Sequence, residues 1–142
     1  MDSSAPTRGQ LERKLSQGIQ ALYRTQLGHQ PRKVTCQIFD EKIAIVLEDA
    51  ITQPEQILAS SGQEKLAEKV RSELDEAIQP QLKALIEEIM GVAVLDLLSD
   101  AKLETGRTGT IAVLEAPPQV REVSTGTKYQ KEKMSSRDNG EE

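Results

Sequence analysis

The sequence predicts an α+β fold, a two-layer sandwich in which helices cover one face of a four-stranded antiparallel sheet. Two observations lead to this fold class. A pair of short β-rich runs stands between two long amphipathic segments, and a second β-rich pair follows the longer segment. The predicted order is therefore helix, strand, strand, short helix, long helix, strand, strand.

The first helix is predicted over residues 9–26. Residues 1–8 before it are small and polar, and we expect them to be disordered. Gly28 is placed to end the helix in a left-handed conformation, and Pro31 prevents immediate re-entry into a helix. Apolar residues spaced by three and four form one stripe along this helix: Leu11, Leu15, Ile19, Leu22 and Tyr23.

The first hairpin is predicted from residues 34–39 and 43–47, which a polar turn at residues 40–42 separates. Alternation along these strands gives two faces. Val34, Cys36 and Ile38 fall on the face expected to be buried. A partly apolar set falls on the other face and remains for a partner: Thr35, Gln37, Phe39, Ala44 and Val46.

A short and a long helix are predicted next, over residues 53–59 and 63–90. Thr52 and Glu55 have the spacing of a capping box. Pro80 lies inside the long helix and predicts a kink, but the apolar stripe keeps its phase, which favours one bent helix. That stripe is Leu66, Val70, Leu74, Ala77, Ile78, Leu82, Leu85, Ile86 and Ile89. Its opposite side is charged, with carboxylates expected to face outward and pair with Lys65, Lys69, Arg71 or Lys83.

The last two strands are predicted over residues 92–98 and 110–115, and the polar residues between them are expected to extend both strands around a turn at residues 105–109. Gly91 supplies the cap that ends the long helix. Residues 9–116 therefore form one domain, and residues 117–142 are a charged tail expected to be flexible.

Composition argues against several classes of function. The net charge is −5 and aromatic residues make up 2% of the chain, so neither a basic surface nor base-stacking platforms for nucleic acid are expected. No apolar run approaches the roughly 20 residues that span a bilayer, so direct membrane insertion is not expected. A single cysteine gives no sign of an oxidising compartment. These features predict a cytoplasmic protein.

Catalytic and metal-binding residues are not expected. His29 and Cys36 are the single histidine and cysteine, and seven residues of mostly extended chain would separate them by roughly 20 Å. Cys36 is in phase with the buried strand face, which favours a core residue over a nucleophile. No ligand spacing suggests a structural metal. We therefore expect no cofactor and no enzymatic activity.

Two groups of residues remain as candidates for a partner or an anion. The loop formed by Gly28, His29, Pro31, Arg32 and Lys33 contains an adjacent basic pair. Asp96 interrupts the apolar run of the third strand and Asp100 follows it. For both groups ordinary turn chemistry or strand-edge placement is the competing interpretation.

Four pieces of the sequence resemble a known family when they are taken in order: "GHQPRKVTCQIFDEKIAIVLEDAIT", "TQPEQILASSGQEKLAEKVR", "IQPQLKALIEEIMGVAVLDLLSD" and "TGTIAVLE". They resemble the small bacterial domain named for the C subunit of a sodium-translocating, membrane-potential-generating system. The resemblance covers residues 9–116. Its motifs are the G-x-x-P-K/R loop at residues 28–32, the element at Ile51, Thr52 and Glu55, and "G-V-x-V-x-x-x-x-S-D" at residues 91–100. His29-Gln30 departs from the usually more basic loop.

The resemblance implies an accessory or regulatory protein linked with a membrane system for cation or inorganic-carbon uptake, with a transporter subunit as its partner. It transfers no catalytic residue. The uncovered sheet face adds the expectation of a homodimer. The alternative function is a sensor of a small anion or nucleotide, with the loop at residues 28–33 holding the negative charge.

Overall fold

The helices and strands of the computed structural model, which describes residues 4–121, follow the predicted order. They are α1 (Arg8–Leu27), β1 (Lys33–Phe39), β2 (Lys42–Glu48), α2 (Gln53–Ser60), α3 (Glu64–Met90), β3 (Val94–Lys102) and β4 (Arg107–Leu114). Their alternation of helices with antiparallel hairpins confirms the predicted α+β class. Strands β3 and β4 extend further into the polar segment between them than the predicted strands at residues 92–98 and 110–115. They meet around a turn in which Gly106 has φ 75°.

The sheet has the order β1-β2-β4-β3, and all its neighbours are antiparallel. The second hairpin therefore joins the first through β4, and β1 and β3 are the two edge strands. Directly opposed residues share a face of the sheet. Cys36, Ile45 and Thr110 form one such row across three strands, on the face that the helices cover.

The core lies between this covered face and the two long helices. Leu15 and Ile19 of α1 and Ile86 of α3 are almost completely buried, as are Ile43 and Ile45 of β2. Aliphatic side chains dominate this core, because the described chain offers it a single buried tyrosine and no tryptophan. The two helices approach closely at Gly18, where an added Cβ would lie 3.1 Å from Leu85.

The helix ends confirm the predicted caps. Gly28 and Gly91 adopt left-handed conformations, with φ of 68° and 75°, directly after α1 and α3. At the start of α2, the backbone N–H of Thr52 donates to Glu55 Oε1 over 2.8 Å. Helix α3 continues through Pro80 as one element, which confirms one helix over two.

The predicted burial of α3 is wrong in the first half of that helix. Leu66 is 45% exposed and Ala77 is exposed, whereas Ala67 and Arg71 are buried. Arg71 was expected on the solvated side. The reason is that α2 packs against this part of α3 and presents the buried carboxylate of Glu55. Helix α3 therefore directs the guanidinium of Arg71 inward, and part of the predicted apolar stripe is exposed.

The two ends of the described chain meet beside α1. Arg121 donates from its backbone N–H to Pro6 O over 2.7 Å and from Nε to Ala5 O over 3.1 Å. Thr7 caps α1 together with Gln10. The predicted disorder of residues 1–8 and the predicted flexibility of residues 117–142 stay predictions, and residues 1–3 and 122–142 lie outside the described residues.

Candidate functional site

The loop after α1 is held against the end of β2. His29 Nε2 lies 2.7 Å from the backbone oxygen of Asp49, which itself has a positive φ of 56°. Pro31 is fully buried, so it anchors the loop and offers no contact surface. Arg32 is 68% exposed, and its Nη2 lies 3.9 Å from Glu48 Oε1. Contacts to the backbone at the end of β2 therefore account for the position of this loop.

The charges around this loop bear on the anion hypothesis. Glu48 Oε1 lies 3.9 Å from Arg32 Nη2 and also accepts a hydrogen bond from Arg107 Nε over 2.9 Å, so the two cations share one carboxylate. Lys33 is exposed and opposes Glu48 across the β1–β2 pair. An incoming anion would therefore compete with Glu48. The anion sensor stays a prediction.

Asp96 and Asp100 lie far from that loop, because β3 is the opposite edge of the sheet from β1. Three strand spacings of about 4.8 Å separate the two edges, or roughly 14 Å. Both residues lie on the sheet face that the helices leave open, on either side of Leu98. Asp100 Oδ1 accepts from the N–H of Ala101 over 2.8 Å. The two predicted groups therefore do not form one site.

The open sheet face has an apolar centre. Register places Ala44, Ile111 and Leu98 in one row across β2, β4 and β3. One neighbouring row adds Val46, and the row on the other side adds Phe39 and Val113 with Lys42 between them. We call the whole set the open-face patch: Phe39, Ala44, Val46, Leu98, Ile111 and Val113. Three of its members are substantially exposed, namely Phe39 at 44%, Val46 at 38% and Leu98 at 60%.

The rim of the open-face patch carries both signs of charge. At one end of the sheet Lys33, Arg107 and Lys102 lie in one row together with Glu48. Along the β3 edge stands a negative pair, Asp96 and Asp100. A surface of this kind, apolar in the middle and charged with both signs at the rim, has the anatomy of a protein–protein interface.

A buried ion-pair network joins α2 to α3, and the sequence reasoning missed it. Glu55 is fully buried and receives two hydrogen bonds from Arg71, from Nε to Oε2 over 2.7 Å and from Nη2 to Oε1 over 2.6 Å. Arg71 also donates to Asp75 Oδ1 over 3.0 Å and to Ala50 O over 3.2 Å. Two features of the sequence could have indicated this network: the capping-box position of Glu55 and the four-residue spacing of Arg71 and Asp75.

The charge states within this network follow from its contacts. Burial acts to raise the pKa of Glu55, but hydrogen bonds from Arg71 and Thr52 outweigh it and hold the pKa below the usual value. Burial raises the pKa of Asp75, and its single bond to Arg71 compensates only in part. Glu55 is therefore the firmly ionised partner. Burial likewise raises the pKa of nearby Tyr23 to about 12, so this tyrosine stays neutral.

A groove runs between α3 and the outer edge of β3, and we call it the β3 groove. Its larger part has a volume of about 720 Å³ and ends at the β3–β4 turn. Ser99 and Ala101 line it from the covered side, and Asp100 and Lys102 from the open side, so the groove wraps around the edge strand. Six carboxylates line it: Glu64, Glu68, Asp75, Glu76, Asp100 and Glu104.

Cys36 takes no part in any of these surfaces. It is buried in the core, as predicted, and burial raises the pKa of its thiol to about 11. Within residues 4–121 no three histidine, cysteine, aspartate or glutamate side chains are grouped so that they could hold a metal ion. None of the helices in that part of the chain is long and apolar enough to cross a membrane.

Comparison with known proteins gives one family. The family model described as "Na+-translocating membrane potential-generating system (MpsC)" matches residues 7–116, which is more than half of the chain and includes every helix and strand described above. Neither a curated protein nor a solved structure is found to match. The match confirms the resemblance seen in the sequence.

Proposed function

Because this chain belongs to the Na+-translocating membrane potential-generating system (MpsC) family, we propose that it is a non-enzymatic accessory or regulatory protein of a membrane system for cation or inorganic-carbon uptake. In this role it forms a homodimer in the cytoplasm and binds a protein partner, a subunit of the transporter. The family supplies the link to a membrane system. The surface of the domain supplies the argument for self-association.

The observation that carries the proposal is the uncovered open-face patch. Both long helices lie on the other side of the sheet, and within residues 4–121 Phe39, Val46 and Leu98 stay 44%, 38% and 60% exposed. Contiguous exposed apolar surface on a sheet is costly and is typical of a site that a partner covers. A second copy is the occupant that fits, because the mixed charges of the rim allow the same surface to match itself around a twofold axis.

Paired leucine variants test this contact. Leu98→Lys places a cation in the middle of the proposed interface, while Asp96 and Asp100 flank it on the same strand face and reduce the cost to the monomer. Leu66→Lys makes the same change on α3, at a leucine that is also exposed and lies outside the patch. In sedimentation velocity at micromolar concentration, we expect Leu98→Lys to sediment as a monomer and Leu66→Lys to sediment like the parent. Dimeric Leu98→Lys would contradict this interface.

The partner is tested separately in cells. Affinity capture of the full chain from native cells, with membranes solubilised in mild detergent, should recover a transporter subunit. Parallel capture with Leu98→Lys asks whether the partner binds the dimer or the single domain. Recovery of a soluble complex without any membrane protein would contradict the proposed link to a transporter.

A further inference from the structure

We propose that the free edge of β3 is the partner-binding element, and that it accepts an extended, lysine- or arginine-rich segment of a protein partner as a fifth strand. This inference rests on the proposed function, since it names the chemistry of the partner. Addition of a strand to a sheet edge is a common form of peptide recognition, in which the backbone provides affinity and alternate side chains provide specificity.

The backbone of β3 is suited to this addition. In the described chain β3 pairs with β4 on one side alone, from Val94 to Lys102, with a register shift between Val94 and Asp96. The N–H of Ala101 donates to the side chain of Asp100, so it points away from β4. Backbone groups alternate in direction along an antiparallel strand, so those of Leu97 and Ser99 point outward as well. A new strand would find donors and acceptors at these positions.

The edge is also accessible along most of its length. Leu95 and Leu98 are 61% and 60% exposed, and no helix or loop of residues 4–121 folds over them. A smaller depression beside Leu95 and Pro80 continues the β3 groove toward the start of the strand and shares Glu76 and Gln79 with it. The groove therefore follows the strand edge, as the path of an extended peptide requires.

The charges that line the β3 groove indicate which kind of peptide segment it binds. Two cations, Arg71 and Lys102, line the same part of the β3 groove as the six carboxylates, and a third, Lys83, lines the smaller depression. Arg71 is already bound by Glu55 and Asp75, so it offers little to a ligand. Uncompensated carboxylates around a strand edge attract cationic side chains and repel acidic ones.

The acidic groups stand on both sides of the edge strand. On the helix side Glu68 and Glu76 project from α3, and on the open side Asp96 and Asp100 project from β3 itself. Side chains of an added strand alternate between these two sides. Lysine or arginine at either set of alternate positions would therefore meet carboxylates.

The same charge argues against a second copy at this edge. Two β3 edges brought together would oppose Asp96 and Asp100 of one copy to those of the other, and like charges directly opposite destabilise a strand pair. Acidic side chains also protect exposed edges from aggregation. The charges of the β3 edge thus disfavour pairing with the β3 edge of a second copy and favour a basic strand.

The test uses the full chain and three fluorescein-labelled peptides of about ten residues, a length typical of a strand. The first alternates lysine with threonine. The second replaces each lysine with glutamate. The third keeps every lysine but replaces every threonine with proline, which removes half of the N–H groups and holds φ at about −65°, away from the roughly −140° of an antiparallel strand. Fluorescence anisotropy should show binding of the first peptide, about tenfold weaker binding or less of the third, and none of the second.

Matched variants locate the binding. Glu68→Gln with Glu76→Gln removes two carboxylates from the β3 groove, and we expect it to weaken binding of the lysine–threonine peptide about fivefold. Glu73→Gln with Glu88→Gln removes the same charge from exposed positions of α3 outside the groove and should leave binding unchanged. Amide hydrogen exchange adds a direct readout, since bound peptide should protect the N–H groups of Leu97 and Ser99.

Three results would overturn the inference. Equal binding of the proline peptide would show attraction of charge without strand addition. Equal loss in both double variants would place the peptide elsewhere, and so would unprotected amides at Leu97 and Ser99. These failures are distinct from failure of the proposed function, because a dimer that captures a transporter subunit by another surface would leave that function intact.

Discussion

The sharpest stability prediction concerns Arg71→Met. Methionine keeps much of the length and apolar stem of arginine but removes the guanidinium. Glu55, fully buried, would lose its two hydrogen bonds of 2.7 and 2.6 Å, while Asp75 and the carbonyl of Ala50 would lose one each. The remaining bonds to Glu55 come from Thr52 alone. A buried carboxylate would be left without its counter-charge.

The magnitude follows from that geometry. Removal of one partner from a buried ion pair costs about 3–5 kcal/mol, because the other charge stays desolvated. For a domain of this size each kcal/mol shifts the melting temperature by roughly 4 °C, so the expected loss is about 12–20 °C. The cost is reduced if Glu55 binds a proton, because the pKa of this carboxylate would rise once Arg71 is gone. The lower half of that range is therefore the better estimate.

Urea unfolding followed by circular dichroism measures the effect, with Arg24→Met as the control. Arg24 is exposed on α1 and donates to Gln30 over 2.9 Å, so its loss should cost below about 0.5 kcal/mol. Combining Arg71→Met with Glu55→Met removes both charges and should recover more than half of the loss, less the capping bonds to Thr52. A cost of about 1 kcal/mol or less for Arg71→Met would refute the argument that this pair joins α2 to α3.

Three further predictions concern stability. Burial raises the pKa of Asp75 above 3.8, so the folded state binds its proton more tightly and stability falls as pH rises through that raised pKa. Asp75→Asn should lose this slope when urea unfolding is measured at increasing pH from about pH 4 upward, and an unchanged slope would contradict the assignment. Leu15→Ala should cost about 2–5 kcal/mol, because this fully buried side chain would leave a cavity; a smaller loss would show that the core collapses around it. Thr108→Val should stabilise the domain by about 1 kcal/mol, because its buried hydroxyl finds no partner among residues 4–121; destabilisation would reveal a missed bond.

Most of the fold was predictable because its signals are local. Spacings of three and four gave α1 and the second half of α3, and Gly28 and Gly91 marked where those helices end. The ends of β3 and β4 were harder to place. Their polar residues lie at a sheet edge and around a turn, where exposure removes the apolar alternation that marks a strand.

The sites were only partly predictable because they depend on the order of the strands. The alternation of residues along β1 and β2 predicted that half of the open-face patch, including Phe39 and Val46. The other half needed the knowledge that β4 lies in the middle of the sheet, which places Ile111 between Ala44 and Leu98. Periodicity likewise cannot show that Arg71 turns inward, because its partner stands on another helix.

Self-association through the open sheet face is the central claim, and the mass of the full chain in solution tests it most directly. Multi-angle light scattering at micromolar concentration should return twice the 15.7 kDa of one chain. A mass of one chain across that concentration range would contradict the account, because the exposed apolar centre of the sheet would then be left without the partner proposed for it.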